Sequence, residues 1–352
     1  ITLITYEKPG DIANKDRMEQ ARRECEHYQI EWLPQTFHHK PKLIAPTVSL
    51  LQMFLLVLRE VKKKNISLIH ARSYIPAYVA YLVYKRTGIP FIFDMRALWP
   101  EEMITAGRLQ RGSFIHRVIV AMERTCLKHA SVVVSLTNAA VGYLKQKYPE
   151  ELAHQKIEII PTCADLHRFR PSMNTLQDKT SNNQTSIQND KIVHGCIGSV
   201  LSGWFLIDWL AAWYHAVASV NSTDEFEIIT RDDPLKVRKA IDPDNLLKHR
   251  LRIDSSLPEY MPKRVRSHSL SVMFYAGGEI SELGRSPTRM AEVLGTGLPV
   301  VANEGVGDVA EIILKYKVGV LLKSNSSKDV TESNKALLKL LSDADLSNRC
   351  RK

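Results

Sequence analysis

Short apolar runs alternate with longer amphipathic stretches along most of the chain. The short runs hold four to six residues rich in Val, Ile and Phe, which is typical of buried strands. They predict strands at 1–6, 30–33, 67–70, 90–94, 131–135, 157–161, 192–197, 226–230, 270–275, 299–303 and 318–322. The longer stretches repeat apolar residues every three or four positions and predict helices at 16–29, 49–64, 75–86, 113–129, 138–147, 206–217, 287–294, 309–316 and 329–341.

Strands and helices that follow each other in this order predict parallel sheets with helices on both faces, an α/β fold. Residues 172–190 interrupt the alternation with a polar segment that is rich in Asn, Ser, Thr and Gln and has no aromatic residue. We therefore expect a linker there, between an N-terminal Rossmann-like domain at 1–171 and a C-terminal one at 191–352. Two open sheets facing a cleft would bind a ligand in it, at the carboxyl ends of their strands.

The composition agrees with a globular protein of two domains. The chain has 352 residues, 44% hydrophobic and 24% charged, which excludes a disordered or fibrous protein. Its formal net charge of +10 is uneven, with +9 in residues 1–170 and +1 in the remainder. A basic lobe suits the phosphates of a nucleic acid, a lipid or a substrate, or serves solubility alone. The sequence has no RRM, KH, zinc-finger or basic-helix pattern, so we expect no nucleic-acid partner.

The cysteines and the apolar runs bear on the cellular compartment. The five cysteines are scattered without a Cys-x-x-Cys pair, which argues against a disulfide framework or a zinc site and fits a reducing cytoplasm. The longest apolar run, 48–61, has 14 residues and is too short to span a bilayer. It predicts either a helix buried in the α/β core or an interfacial helix whose basic end, 62–64, lies on anionic lipid.

The segment 284–301 is the most informative stretch for chemistry. Ser286 is a favourable N-cap, Pro287 suits the first helical position, and Gly295 and Gly297 end the helix within three turns. The free amides and the positive dipole end at the start of such a helix suit a pyrophosphate.

Three side chains complete this candidate site. Arg289 adds a full positive charge beside the free amides, and Thr288 and Glu292 share one helix face because they lie four positions apart. A carboxylate one turn beyond a phosphate can accept two hydroxyl hydrogen bonds from a ribose. The pattern therefore predicts a nucleotide site, with a capped surface helix and a solvated Glu292 as the alternative.

Residues 286–308, SPTRMAEVLGTGLPVVANEGVGD, resemble the nucleotide-sugar signature of GT-B glycosyltransferases of the family 4 type, in the subgroup that reads Ser-Pro-Thr-Lys followed by Glu. Other segments resemble the family in order and spacing: 69–73 and 93–101 as acceptor-side loops, 159–171 as the end of the first domain, and 196–199 as the first strand and glycine turn of the second. The resemblance implies a first domain for the acceptor and a second for the donor. It also implies that the first strand and the final helix of the fold are missing from the sequence.

The resemblance assigns roles to individual residues. The donor would contact Gly198, Ser199, Arg231, Ser286, Pro287, Thr288, Arg289 and Glu292. The acceptor side would consist of His70, Arg72 and Ser73, and the catalytic residues would be Asp94, Arg96 and Arg289. Asp94 would orient the acceptor or accept its proton, or else form an ion pair with Arg96 or Arg72.

The chain departs from the family pattern at three points. Family members often have two glutamates eight residues apart, whereas Gly284 stands eight before Glu292 and the nearest acid is Glu282. Many members have an Arg and a Lys after the first strand of the second domain, whereas 198–204 has no basic residue. Many also have a His where this chain has Asp94.

Together these features predict a retaining glycosyltransferase that moves a sugar from a nucleotide-diphosphate sugar to an acceptor hydroxyl, with UDP as the favoured nucleotide and GDP as the alternative. The expected setting is cell-surface polysaccharide or lipid-linked glycan synthesis, in the cytoplasm or at the inner membrane face, with an anionic membrane surface as a partner. No cofactor or metal is expected beyond the donor substrate, and the oligomeric state is not indicated. The missing glutamate and Arg/Lys pair favour the alternative, a GT-B-shaped binding or scaffold protein without turnover.

Overall fold

The computed structural model describes residues 1–36, 44–171 and 191–352, with the backbone alone for 44–47. The segment 172–190, for which the sequence predicts a linker, lies outside the described residues. The described residues form two compact units. The first consists of Ile1–Asp94 and Thr125–Val132, and the second of Met95–Arg124 and Val133–Lys352.

The first unit contains two pairs of parallel strands. These are β1 (Thr2–Glu7) with β2 (Glu31–Thr36), and β3 (Ile69–Arg72) with β4 (Phe91–Asp94). Its helices are α1 (Pro9–Ala13), α2 (Lys15–His27), α3 (Ile44–Lys64) and α4 (Tyr74–Thr87). As the sequence predicts, α4 ends at Gly88, whose φ of +75° is the left-handed conformation that glycine adopts without strain.

Four helices and a third strand pair come next in the chain, and their residues belong to the second unit except for those within 125–132. The helices are α5 (Trp99–Thr105), α6 (Phe114–His129), α7 (Asn138–Lys147) and α8 (Pro149–Leu152). The strands are β5 (Val132–Ser135) and β6 (Ile157–Ile159), which run parallel.

A parallel sheet of six strands forms the rest of the second unit, in the order β12-β11-β10-β7-β8-β9. Its strands are β7 (Val193–Ile197), β8 (Glu225–Ile229), β9 (Leu251–Asp254), β10 (Leu270–Met273), β11 (Val300–Ala302) and β12 (Gly319–Leu321). The helices around them are α9 (Ile207–Val220), α10 (Pro234–Ile241), α11 (Met261–Arg266), α12 (Thr288–Gly295), α13 (Val309–Tyr316), α14 (Ser327–Leu341) and α15 (Leu346–Cys350).

Every residue of β7, β10 and β11 is buried, as expected for a sheet covered on both faces. One core cluster packs Trp213 and Tyr214 of α9 against Phe226 of β8 and Phe274 after β10. The core also contains His194, whose Nδ1 accepts a hydrogen bond from the Trp213 indole N–H at 3.2 Å. The buried imidazole of His194 is therefore paired within the core.

Each predicted strand and helix is present, so the α/β prediction is confirmed, but several short elements were missed. The missed ones are β9 and the short helices α1, α5, α8, α10, α11 and α15. Three of them, β9, α10 and α11, lie between 231 and 268, where charged residues obscure the apolar periodicity.

The apolar run at 48–61 is part of α3, and it is only partly buried. Val48, Leu51 and Leu55 are exposed, whereas Glu60 and Val61 are buried. Within the described residues, no helix has both the length and the hydropathy needed to cross a membrane.

Candidate active site

The strand order of the six-stranded sheet creates a switch point between β7 and β10. The chain proceeds from β7 towards one edge through β8 and β9, and from β10 towards the other through β11 and β12. The loops that follow β7 and β10 therefore diverge, and ligands of open α/β sheets bind in the crevice that this leaves. Gly198 directly follows β7, and α12 lies in the connection from β10 to β11.

Arg289 of α12 lies against Gly198 at this switch point. Gly198 has a φ of +94°, and a Cβ built on it would lie 2.0 Å from the Arg289 Cζ atom. The guanidinium therefore occupies the space that any other side chain at 198 would fill. The structure thus brings together two residues that the sequence assigns to one diphosphate site.

The start of α12 differs from the prediction. The helix begins at Thr288, its cap position is Pro287, and no described side chain caps it. Ser286, predicted as the N-cap, instead uses its Oγ to accept a hydrogen bond from the Thr162 amide at 3.0 Å. The prediction of a Ser286 cap was wrong because a distant loop takes the hydroxyl. The first amides of the helix thereby remain available for an anionic ligand.

Glu292 lies one turn further along α12 and is half-buried. Burial raises the pKa of its carboxyl, and the positive charges of Arg289 and Arg168 oppose that shift. Thr288, on the same helix face, is exposed. The carboxylate is thus held in a cationic neighbourhood rather than in bulk water, contrary to the interpretation as a solvated surface group.

Two residues that the sequence did not single out as ligands shape the ends of β10 and β11. The buried Asn303 accepts a hydrogen bond from the Tyr275 amide and donates to the Tyr275 carbonyl, both at 2.8 Å. Burial raises the pKa of Tyr275 to about 12, against the opposing positive charge of Arg289. Asn303 thus fixes the backbone that carries this ring. An isolated Asn at the end of an apolar strand is the only signal that the sequence offered.

The loop after β7 is held by a carboxylate. Asp232, which follows β8, accepts hydrogen bonds from the amides of Val200 and Leu201 at 2.7 and 3.0 Å. The Ser199 hydroxyl also donates to it at 2.9 Å. Ser199 is therefore engaged inside the protein, and the neighbouring Arg231 is exposed.

The missing family glutamate has a steric explanation. A Cβ on Gly284, eight residues before Glu292, would lie 3.0 Å from the backbone nitrogen of Leu98, so a longer side chain does not fit there without a shift. Glu282 is buried and its Oε2 lies 2.8 Å from Nη1 of Arg285. Burial raises the pKa of Glu282 in spite of that guanidinium. This acid is thus enclosed in the protein beside Arg285.

Four of the predicted acceptor-side and catalytic residues lie together in the first unit. His70 Nε2 lies 3.3 Å from Asp94 Oδ2, and the Ser73 amide donates to the Asp94 carbonyl at 2.8 Å. Among the described residues, the Asp94 carboxylate contacts His70 rather than Arg72, which is exposed. The predicted alternative of an Asp94–Arg72 pair was therefore wrong. Arg96, in the second unit, is exposed and has a φ of +56°.

Asp308, at the end of the family-like segment, caps a helix far away in the sequence. Its carboxylate accepts hydrogen bonds from the Asn138 amide at 2.7 Å and the Ala139 amide at 2.9 Å, at the start of α7. The Thr137 hydroxyl donates to the Leu283 carbonyl next to it. A negative charge at a helix N-terminus stabilises the helix. The second unit is thus held together by polar contacts between residues 137–139 and two loops near α12.

Residues 1–168 match the sequence model of Glycosyltransferase Family 4. Similar solved structures cover 99% of the chain: a glycosyltransferase from Rickettsia africae (TM-score 0.66, 15% identity, 91% of that chain), sucrose-phosphate synthase from Thermosynechococcus elongatus (0.65, 13%, 93%) and HepE of Anabaena with UDP-glucose (0.63, 16%, 93%). No curated protein sequence matches the chain.

The two α/β domains with parallel sheets therefore have the GT-B fold of glycosyltransferases. The first 168 residues thus match a glycosyltransferase family model, and the chain as a whole shares the fold of solved glycosyltransferases. The resemblance found in the sequence is confirmed, while the Ser-Pro-Thr subgroup stays a prediction.

Replacing Asp308 by Ala should destabilise the protein by about 1 kcal/mol, because the first two amides of α7 lose the carboxylate that accepts their hydrogen bonds. Thermal or urea unfolding measures this change. The control is Glu311→Ala, an exposed acid on the following helix, which should change stability by less than about 0.5 kcal/mol. Equal effects of the two substitutions would contradict the capping role.

Proposed function

We propose that the protein is a retaining glycosyltransferase that transfers a sugar from a UDP-sugar to an acceptor hydroxyl. One observation carries the proposal: Arg289 packs on Gly198 at the switch point, beside an uncapped helix start and one turn from Glu292. This arrangement offers a cation and free amides to a diphosphate, and a carboxylate to a ribose. The preference for UDP is supported by HepE, whose structures are complexes with UDP and with UDP-glucose.

The proposed chemistry is the cleavage of the anomeric carbon–oxygen bond. Cleavage leaves positive charge on the sugar and negative charge on the β-phosphate. Arg289 and the first amides of α12 would stabilise that anion most strongly in the transition state, where its charge develops. Glu282 is buried against Arg285 and is therefore poorly suited to act as a covalent nucleophile. We therefore favour attack by the acceptor on the same face, through an ion-pair-like state.

The acceptor is proposed to bind beside His70, Arg72 and Ser73. Asp94 would orient the attacking hydroxyl or accept its proton, with His70 at 3.3 Å holding the carboxylate. Arg96 would help to neutralise the phosphate. These roles follow from the family resemblance and from the His70–Asp94 pair.

A membrane-borne acceptor is supported by an exposed apolar patch on α6. Phe114, Ile115 and Val118 are 74%, 60% and 42% exposed, and the exposed Arg117 lies among them. The acid of this helix, Glu123, is buried. An apolar surface with cationic and no exposed acidic side chains suits an anionic bilayer interface. We therefore propose peripheral binding at the inner membrane face, in polysaccharide or lipid-linked glycan synthesis.

A binding protein or scaffold without turnover is the second candidate. It is favoured by the steric exclusion of a glutamate at Gly284 and by the loop after β7, which has no cation and is held by Asp232. Nucleotide binding with neither donor hydrolysis nor transfer, across a panel of UDP- and GDP-sugars, would establish this candidate.

Glu292→Ala should weaken UDP binding by about 2–3 kcal/mol, because two hydrogen bonds from ribose hydroxyls to a charged group are lost. Calorimetry with UDP, GDP and ADP measures the affinity and identifies the base. Glu311→Ala serves as the control. Unchanged UDP affinity in Glu292→Ala would remove this residue from the site, and a native chain that binds none of the three nucleotides would refute the proposed function.

Gly198→Ala should weaken UDP binding about tenfold or more and leave uridine binding unchanged, because the new methyl group displaces the Arg289 guanidinium. Gly203→Ala is the matched control in the same loop, since a Cβ there meets no atom within 4 Å. Equal UDP affinities of the two variants would contradict a diphosphate site beside Gly198 and Arg289.

Phe114→Ser combined with Ile115→Ser should reduce sedimentation with vesicles that contain phosphatidylglycerol by on the order of tenfold or more, since two apolar side chains no longer enter the interface. The control replaces Leu235 and Leu314, 80% and 65% exposed on other helices. Equal losses in both double variants would argue against a specific membrane-facing patch.

A further inference from the structure

Asp232 and its contacts resemble an anion-binding loop whose anion is part of the protein. Two successive amides, of Val200 and Leu201, point at Asp232 Oδ2, and the Ser199 hydroxyl lies within 3.0 Å of both carboxylate oxygens. Converging backbone amides of this kind form concave sites for phosphates and other anions. Burial raises the pKa of Asp232, but the hydrogen bonds from Leu201, Val200 and Ser199 outweigh it and hold the pKa below its usual value. The carboxyl is therefore ionised at neutral pH.

Asp232 and Arg289 contact the same short loop. Both side chains contact the four-residue loop 198–201: Arg289 packs on Gly198 at one end, and Asp232 binds the amides at the other. From residue 198 to residue 201 the chain makes three Cα–Cα steps, which span at most about 11 Å when fully extended. This is comparable to the Debye length of about 8–10 Å in physiological salt. A diphosphate bound by Arg289 would therefore experience both the attraction of the guanidinium and the repulsion of the carboxylate.

The proposed reaction changes the charge of the ligand at this point, so the inference rests on the proposed function. In the donor, the β-phosphate is esterified by the sugar and carries one negative charge. In the product, the same phosphate is a terminal group whose second pKa is about 6, so it carries nearly one more negative charge at neutral pH. A fixed carboxylate nearby raises the free energy of the bound product more than that of the bound donor.

We propose that Asp232 is a specificity-determining residue that disfavours the nucleoside diphosphate product relative to the nucleotide-sugar donor. Arg289 holds the diphosphate of either ligand, whereas Asp232 discriminates between them by charge. The carboxylate thereby promotes product release and limits product inhibition. The hydrogen bonds of the same carboxylate also fix the conformation of the loop 198–201.

The test compares UDP, UDP-glucose and uridine binding to the full chain and to Asp232→Asn at low salt. Asparagine removes the charge and keeps one oxygen to accept hydrogen bonds from the loop amides. Its NH2 group replaces an oxygen that accepts from the Ser199 hydroxyl, a loss that Ser199→Ala reproduces without a change of charge. In Asp232→Asn, we expect the ratio of UDP affinity to UDP-glucose affinity to rise about three- to tenfold. This range corresponds to the repulsion between two unit charges about 11 Å apart near a protein surface. Uridine affinity should not change. Asp244→Asn, an exposed acid beyond the end of α10, is the charge-matched control and should leave the ratio of the two affinities unchanged.

Two further variants separate charge from loop geometry. Asp232→Glu keeps the charge and should preserve the native ratio of UDP to UDP-glucose affinity. Ser199→Ala removes a hydrogen bond without changing the charge, and should also preserve it. The proposal would be overturned if Asp232→Asn changed the affinities for UDP and UDP-glucose by the same factor. It would also be overturned if Ser199→Ala changed the ratio of the two affinities as much as Asp232→Asn does. Asp232→Ser replaces Asp232→Asn if the latter does not fold. A native chain that binds neither ligand would refute the proposed function instead.

Discussion

The geometry of the second unit depends on close approach between loops that leaves no room for a side chain. A Cβ on Gly307 would lie 2.0 Å from the Arg285 carbonyl oxygen, and a Cβ on Gly277 would lie 3.1 Å from the Gly305 carbonyl oxygen. Backbone contacts of this kind are rigid, because no side-chain torsion is free to relax them. The position of α12, and with it the candidate phosphate site, follows from where the chain has glycine.

The same constraint explains what the family-like segment does. Its glycines permit the loops to approach, and its polar ends fasten them to distant residues: the Thr162 hydroxyl donates to the Ser286 carbonyl at 2.6 Å, and Asp308 binds the start of α7. A segment expected to bind a ligand therefore also organises the fold around that ligand. Function and stability are consequently difficult to separate by substitution at these positions.

The fold was largely predictable from the sequence, and the site only in part. Buried parallel strands such as β7 and β8 are continuous apolar runs, so their pattern is visible without a structure. Gly198 and Arg289 were assigned to one site, but their contact depends on the sheet order, which a single sequence does not encode locally. The Ser286 cap was wrong because local capping preference gave way to a tertiary hydrogen bond with Thr162. Asp232 was missed because an acid that binds backbone amides looks, in sequence, like any surface acid.

The Asp308 contact links two parts of the chain that are synthesised at different times. Asn138 and Asp308 are 170 residues apart. At a typical ribosomal rate of about 5–20 residues per second, α7 emerges roughly 10–30 s before the carboxylate that caps it. During that interval the helix has only its own Thr137 hydroxyl, which accepts from the Ala140 amide, to satisfy its first turn. The second unit therefore reaches its final packing only after Asp308 has been synthesised.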